Sequence, residues 1–250
     1  MPLAINSATK ALAELLVGGK EYIALMHVHK DFELDDLNKT LKQFTGVISQ
    51  LPPVRSNVKR QYRDREIYYL DVLEIEGNDV LFKVGVQSGT YIRKLINDIG
   101  EKLGTGAHMI ELRRTKVSTL SEKSGLVTLQ DLDDAVYFHQ NEKDDRLLKK
   151  CIQNIEDALD FMPKVIVSDE AVDTVAHGSP VAVPGITGFN HFDKGDRIFI
   201  STLKGELIAI GNAVMSSDEL LSAKGGIAVK NDTVIMKTGL YPAYHRQNQT

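Results

Sequence analysis

The sequence predicts a mixed α/β domain followed by a small all-β barrel, and three observations carry that prediction. In the first half, runs with strand character alternate with segments whose apolar residues recur at helical spacing. Beyond residue 163 the chain turns to short apolar runs separated by glycine-rich turns, the pattern of a small barrel. Between them lies a polar, acidic stretch. At a typical size of roughly 150 residues per domain, the 250 residues suggest one large or two ordinary domains. The predicted organisation is an α/β domain over 1–125, an acidic helical connector over 126–162, a barrel over 163–241 and a loose polar tail over 242–250.

Ser7 is placed to cap a helix with Leu12, Leu15 and Leu16 as its apolar stripe, ended by Gly18 and Gly19. Lys20 to His29 follows as a strand. Leu34, Leu37, Leu41 and Phe44 share one face of a second helix, with Asp35 and Asp36 in its first turn and Gly46 as its stop. Two β-rich runs, 65–76 and 79–86, flank Gly77-Asn78, a hairpin signal. Thr90 to Leu103 suits a helix with Tyr91, Ile92, Leu95, Ile96 and Ile99 inward before Gly104, and Ala107 to Val117 returns as a strand. Thr128 and Asp131 have the spacing of a capping box that opens a helix toward Phe138, and 140–150 is a loop or exposed helical face. Short strands are predicted at 164–167, 180–183, 197–201, 206–215, 226–229 and 233–236, with a helix over 169–177.

The net charge of −4 and pI near 6.0 exclude a uniformly basic chain that binds nucleic acid by charge alone. Locally the picture differs. From Arg55 to Tyr69 five basic residues face two acidic ones, and from Lys83 to Lys116 seven face three, whereas Asp131 to Asp160 has nine acidic against four basic. Two basic stretches are thus masked by the connector. The single cysteine, Cys151, excludes a disulfide framework or a cysteine metal site, and is expected to be a buried small side chain. No apolar run approaches the ~18 residues of a membrane span, so an intracellular, cytoplasmic protein is expected. His27 and His29 alternate on a strand at a spacing that suits a metal, but no third ligand stands at motif spacing and no metal is assigned.

Three stretches carry a specific resemblance. They are Gln50 to Arg60 (QLPPVRSNVKR), Gly89 to Gly100 (GTYIRKLINDIG) continuing through Gly104 to Thr115 (GTGAHMIELRRT), and Pro163 to Val167 with Ala176 to Gly185 (AHGSPVAVPG) and Lys194 to Ile198. In that order and at that spacing they resemble the TruB/dyskerin family of RNA pseudouridine synthases in its archaeal form, followed by a PUA domain. The resemblance implies a pseudouridine synthase fold, incomplete at its amino terminus, and a PUA pseudo-barrel. It further implies isomerisation of uridine to pseudouridine in the T-loop of tRNA or in RNA selected by an H/ACA guide, without a cofactor, with small H/ACA ribonucleoprotein proteins as partners.

The resemblance implies roles for particular residues. Tyr22 matches the tyrosine that stacks on the target base, and Arg93 the arginine that pairs with the catalytic aspartate. Arg93, next to Ile92, is expected to be a semi-buried charge. Arg55, Lys59, Arg60, Arg63 and Arg65 match the basic stretch after the Pro52-Pro53 pair, which tracks RNA phosphates. Arg113 and Arg114, consecutive on a strand, point to opposite faces, so that one of them meets RNA. His108 belongs to the same motif in a structural role. In the second half His177 and Gly178 match the RNA-approaching turn, and Lys194, Arg197 and Lys204 are candidate phosphate contacts. The family's nucleophile sits in a Gly-Thr-Leu-Asp-Pro loop that this sequence does not contain; Pro2-Leu3 match its end, and the aspartate is expected just upstream of Met1. Asp98, five residues from Arg93 and off its helical face, is a poor substitute. The chain alone is therefore expected to be inactive, with a non-catalytic RNA-binding or ribonucleoprotein scaffold as the alternative.

Overall fold

The structure, a computed structural model, describes residues 2–53 and 58–242. Arg55 and the tail beyond residue 242 lie outside the described residues. Two compact units emerge: one spans Leu16–Leu126, and the other joins the residues up to Leu15 to those from Val127 onward.

The chain begins with a 3-10 segment, Asn6–Ala11, that runs into helix α1 (Leu12–Val17). The predicted cap is corrected: Ser7 lies inside the 3-10 segment, and Ile5 before it makes no side-chain capping bond. Asn6 has a positive φ of 54° and its carbonyl accepts from the Thr9 hydroxyl, so the local turn closes on Asn6 instead.

The Leu16–Leu126 unit is built on strand β1 (Lys20–Val28), helix α2 (Leu34–Gln43), β2 (Gly46–Gln50), β3 (Arg63–Glu76), β4 (Asp79–Val86), helix α3 (Ile92–Leu103), β5 (Ala107–Val117) and β6 (Leu120–Ser121). All six strands pair antiparallel in the order β2-β3-β4-β1-β5-β6. The β3–β4 hairpin turns where predicted, with Gly77 at a φ of 56°, a conformation glycine adopts without steric cost. Alternation along β1 and β4 buries Ala24, Met26, Val28, Val80, Phe82 and Val84 on one face. Leu37 and Leu41 of α2 and Leu95, Ile96 and Ile99 of α3 complete that core. Each of these aliphatic side chains contributes about 1.5–3 kcal/mol by leaving water. Strand β2 was not predicted: Gly46 not only stops α2 but begins a strand of five residues at the sheet edge, too short for period-2 alternation to announce itself.

In the other unit, α4 (Leu129–Glu142), α5 (Arg146–Cys151) and α6 (Ile155–Ala158) precede β7 (Lys164–Val167), α7 (Asp169–Ala176), β8 (Val181–Ala182), β9 (Ile186–Phe189), β10 (Arg197–Ser201), β11 (Leu207–Ala213), α8 (Ser217–Ser222) and β12 (Ile227–Val234). Their strand order is β8-β12-β11-β10-β7-β9, a barrel-like sheet in which only the β7–β10 pair is parallel. Val165, Val167, Ile198, Ile200 and Ile208 fill it. The Thr128–Asp131 capping box is present, and α4 runs beyond Phe138 to Glu142 before Lys143 breaks it in a left-handed conformation.

Two strands predicted at 226–229 and 233–236 are one continuous strand, because Asn231 is held in the ladder and the turn-like Asp232 beside it is taken up as a register irregularity. Asn231 faces Gly211, and its side-chain amide donates to the Val175 and Ser179 carbonyls. Strand β9 and helix α8 went unpredicted, although α8 carries a capping box between Ser216 and Glu219. Cys151 is not buried: it is half-exposed at the end of α5, its thiol donating to the Asp131 carbonyl across 3.7 Å. Among the described residues no helix is long and apolar enough to cross a membrane.

Candidate nucleic-acid interface

The antiparallel register of β1 with its neighbours sets the centre of the candidate site. Tyr22 stands opposite Val84 on β4 and Arg114 on β5, so these three side chains share one face of the sheet. A register shift between Glu21 and Tyr22 sets Thr115 apart in the pairing, which brings Arg114 level with Tyr22. Arg113 pairs with Ile23 on the opposite face, where its guanidinium donates to Glu122 at 2.6 Å. Of the two consecutive arginines, Arg114 is the one beside the tyrosine. It is exposed and makes no ion pair among the described residues. The Tyr22 ring is half-buried against the cluster that also holds Val84 and Ile92.

Lys20, two residues before Tyr22 and on the same face, was not singled out in the sequence, though period-2 spacing would have found it. Its ammonium donates to the Leu16 and Gly18 carbonyls and, at 2.8 Å, to the Ser88 hydroxyl. Burial, and then the neighbouring positive charge of Arg114, hold the Lys20 pKa below its usual value. Lys20 thereby ties the approach to β1 to the loop between β4 and α3.

That loop leads to Arg93. Gln50, buried at the end of β2, clamps the start of α3: its carbonyl oxygen accepts from the Tyr91 N–H at 3.1 Å and its amide donates to the Tyr91 carbonyl at 3.4 Å. Arg93, in the first turn beyond, is exposed and has no ion pair or hydrogen bond among the described residues, so the predicted semi-burial is corrected. Its neighbours Ile92 and Leu95 take the core face, and position 93 falls outward by the helical period. Asp98 is occupied by Lys94, four residues before it, and makes no pair with Arg93.

The basic residues after Pro52-Pro53 divide into two settings. Lys59 and Arg60 are exposed, and Arg60 lines an open cleft of about 590 Å³ together with Phe44, Ile48, Pro52, Tyr62 and the Lys94–Asp98 pair. Arg63 and Arg65 are half-buried and, with Gln50, Gly89 and Tyr91, line a smaller pocket of about 110 Å³. The Nε of Arg63 is buried there without a partner among the described residues, and the Arg65 guanidinium lies across the open side of Gly89.

On the reverse face of the sheet, Glu21 accepts from the Tyr69 hydroxyl at 2.5 Å and from the Thr115 hydroxyl at 2.7 Å. The Tyr69 hydrogen bond, then that of Thr115, holds the Glu21 carboxyl below its usual value, while burial, then the hydrogen bond to Glu21 and its charge, push the Tyr69 hydroxyl up to about 12. A raised value favours the folded state below the ordinary tyrosine pKa of 10.0, and that contribution is lost as pH rises through about 12. A depressed carboxylate favours the folded state above its ordinary value and loses that contribution in acid. The Tyr69→Phe variant is therefore expected to be less stable than the wild type at neutral pH, with the gap closing between pH 10 and about 12. Thermal unfolding midpoints of both proteins across that range check it; parallel curves would refute the coupling.

In the barrel unit His177 and Gly178 are exposed at the end of α7, the His177 Nδ1 within 2.8 Å of the Asp173 carbonyl and Gly178 at a φ of 93°. Lys194 is exposed, and Lys204 lies over the Tyr241 ring at 5.7 Å. Arg197 has a different setting from the one predicted. Its guanidinium pairs with Glu14 from α1, reaches Asp232 at 2.9 Å and donates to Asn212 at 3.2 Å. These bonds, Glu14 first, hold its charge more firmly than usual and leave it committed inside the fold.

Known proteins are similar to this one over nearly all of its length. Residues 1–92 match the model of the TruB family pseudouridylate synthase N-terminal domain, 93–160 that of the tRNA pseudouridylate synthase B C-terminal domain, and 163–235 the PUA domain. A probable tRNA pseudouridine synthase B of Nanoarchaeum equitans is 48% identical over 97% of this chain and 70% of its own length. A protein of the same description from Thermococcus gammatolerans is 49% identical over 97% of this chain and 73% of its own. Among solved structures, a Cbf5-Nop10-Gar1 complex contains a chain 48% identical with a TM-score of 0.92, covering 96% of this chain and 73% of that one. An H/ACA RNP bound to a substrate RNA containing 2′-deoxyuridine contains another, 45% identical with a TM-score of 0.89, over 97% of this chain and 74% of that one.

Proposed function

Because the chain belongs to the TruB family of pseudouridine synthases and carries a PUA domain, we propose that it grips the RNA around a uridine destined to become pseudouridine, in tRNA or in RNA selected by an H/ACA guide. The observation that carries the proposal is the pairing of Tyr22 with Arg114 across β1 and β5. An aromatic ring on a rigid central strand offers a stacking surface for a base turned out of its helix, and an uncommitted guanidinium beside it offers a partner for the phosphate. Lys59 and Arg60 add phosphate contacts within the same unit; in the PUA domain, taken by itself, Lys194 is a phosphate contact, and His177 and Gly178 let backbone approach. Arg93, free at the start of α3, is in this reading the partner of a carboxylate.

The nucleophilic aspartate is the part we place outside these 250 residues. None of the described aspartates pairs with Arg93, and Asp98, the nearest along its helix, is tied to Lys94. That observation also favours the second reading, a non-catalytic RNA-binding protein that works as a scaffold in a ribonucleoprotein. Protein partners resembling Nop10 and Gar1 fit either reading, since the similar chain is found with them. A cytoplasmic setting accords with the lone, unpaired cysteine.

The purified chain is expected to bind structured RNA, and with about five phosphates neutralised its affinity should fall by ~10²–10³-fold between 50 and 200 mM salt. It should convert no uridine. Turnover by this chain would overturn the assignment of the nucleophile, and binding indifferent to salt and to Arg114→Ala would overturn the interface.

A further inference from the structure

At the end of the sheet away from Lys20, the near neighbours His27 and His29 meet a third histidine, His108, that lies 79 residues beyond His29 in the sequence. His27, next to the last residue of β1, stands opposite His108 on β5, and His29 lies just past the end of the strand. Their ring centroids lie 5.1 Å (His29–His108), 5.4 Å (His27–His108) and 6.2 Å (His27–His29) apart. Three imidazoles bonded to one tetrahedral ion at 2.0–2.1 Å would place their centroids about 5 Å apart, so His108 already stands at close to ligand spacing from both other rings, and the His27–His29 pair, at 6.2 Å, is wider. We propose that His27, His29 and His108 form a binding site for a divalent transition-metal cation of the zinc type.

Two further features support the site. The Nδ1 of His27 lies 2.6 Å from a carboxylate oxygen of Asp79, the outer partner that fixes an imidazole's tautomer and leaves Nε2 as the ligand. His29 is held from behind: its N–H donates to the Gly106 carbonyl at 3.0 Å, and its ring rests against Gly106, where an added Cβ would stand 2.9 Å from Nδ1. The backbone on both sides of the site is therefore fixed. His29 and His108 are exposed, which gives an ion a direct path in.

In the arrangement seen, no three such side chains among the described residues converge on a common point. The reason is local: His29 Nε2 and His108 Nδ1 are joined by a hydrogen bond of 2.9 Å. Two ligands on a tetrahedral ion need about 3.3 Å between their nitrogens, so the donor imidazole moves its proton to its other ring nitrogen through solvent, both rings stay neutral, and the cation takes the vacated place after a small rotation of two exposed rings, with water as the fourth ligand. The site rests on no assumption about RNA or catalysis.

The test uses the full chain without a histidine tag, titrated with Zn²⁺ by calorimetry and with Co²⁺ by its visible absorption. One equivalent should bind, with the absorption of nitrogen-ligated tetrahedral cobalt. His108→Ala and His29→Ala should weaken binding at least about tenfold, and Asp79→Asn by about 10–100-fold, the usual cost of losing an outer carboxylate. His139→Ala, at a histidine paired with Asp145 in the other unit, should leave binding unchanged. Circular dichroism of each variant, with His108→Gln as a second replacement, separates lost ligation from lost folding. No saturable uptake of one equivalent, or uptake indifferent to both His108 replacements, would overturn the proposal.

Discussion

Gly100→Ala is expected to destabilise the Leu16–Leu126 unit by about 3 kcal/mol or more, at the upper end of the cost of overpacking a core. Gly100 is buried on the inner face of α3, where the strand β5 begins beneath it. A Cβ there would stand 2.2 Å from the Ala107 nitrogen and 2.5 Å from the Gly106 carbonyl carbon. Both are backbone atoms and have no rotamer with which to yield. The Gly100 carbonyl also accepts from the Thr105 and Gly106 N–H groups at 3.2 and 2.9 Å, so moving the helix to relieve the clash breaks its own closing turn. Alanine's higher helix propensity returns only about 1 kcal/mol. Gly104→Ala is the control: it is strained at a φ of 78° but meets nothing within 4 Å, and about 1 kcal/mol is expected. Urea unfolding of both variants checks the contrast, and a Gly100→Ala protein as stable as the wild type would show that the packing described is wrong.

The second large effect is expected at Arg197. Its side chain is about one-third exposed and Glu14 only 13% exposed, so removing the guanidinium strands a carboxylate with little water to compensate. Arg197→Met should cost about 2–3 kcal/mol, less than the ~3–5 kcal/mol of a fully buried pair because this one is partly wet. Adding Glu14→Gln should recover much of the loss, since the stranded charge goes with it. The same variants separate the two roles available to Arg197. If it is an internal tie, RNA affinity measured well below the unfolding midpoint keeps its salt slope in Arg197→Met. Loss of about one unit of slope, as expected for Lys194→Ala, would make it a phosphate contact.

Where local chemistry decides an element, the sequence announces it. The β3–β4 hairpin depends on Gly77, α4 on a side-chain cap, and α3 on a stripe of isoleucines and leucines, and all three lie close to where the sequence puts them. Strands β2 and β9 are short pieces whose existence depends on partners distant in the chain, and no local pattern marks them. The site divides in the same way. Tyr22 and Arg93 stand in recognisable motifs, but which of two consecutive arginines joins the tyrosine is decided by the irregular register at Thr115. His108 is invisible as a companion of His27 and His29 because sheet pairing alone brings it to them: 79 residues separate His29 from it along the chain. Arg197 looks like any surface cation until α1 folds back upon it.

That last contact bears on how the protein is made. The barrel unit is discontinuous: Glu14 and Arg197 are 183 positions apart, and the Lys10 ammonium bonds the Val234 carbonyl across 224. During vectorial synthesis the inserted Leu16–Leu126 unit has all its strands and helices once residue 126 has left the ribosome, whereas the amino-terminal segment waits for β10 and β12. Closing so long a loop is slow, and it confines the docking of α1 to the last stage of folding. Until then the apolar side chains of Ala11 and Leu15, buried in the finished fold, remain open to chaperones or to the α1-binding surface of another copy.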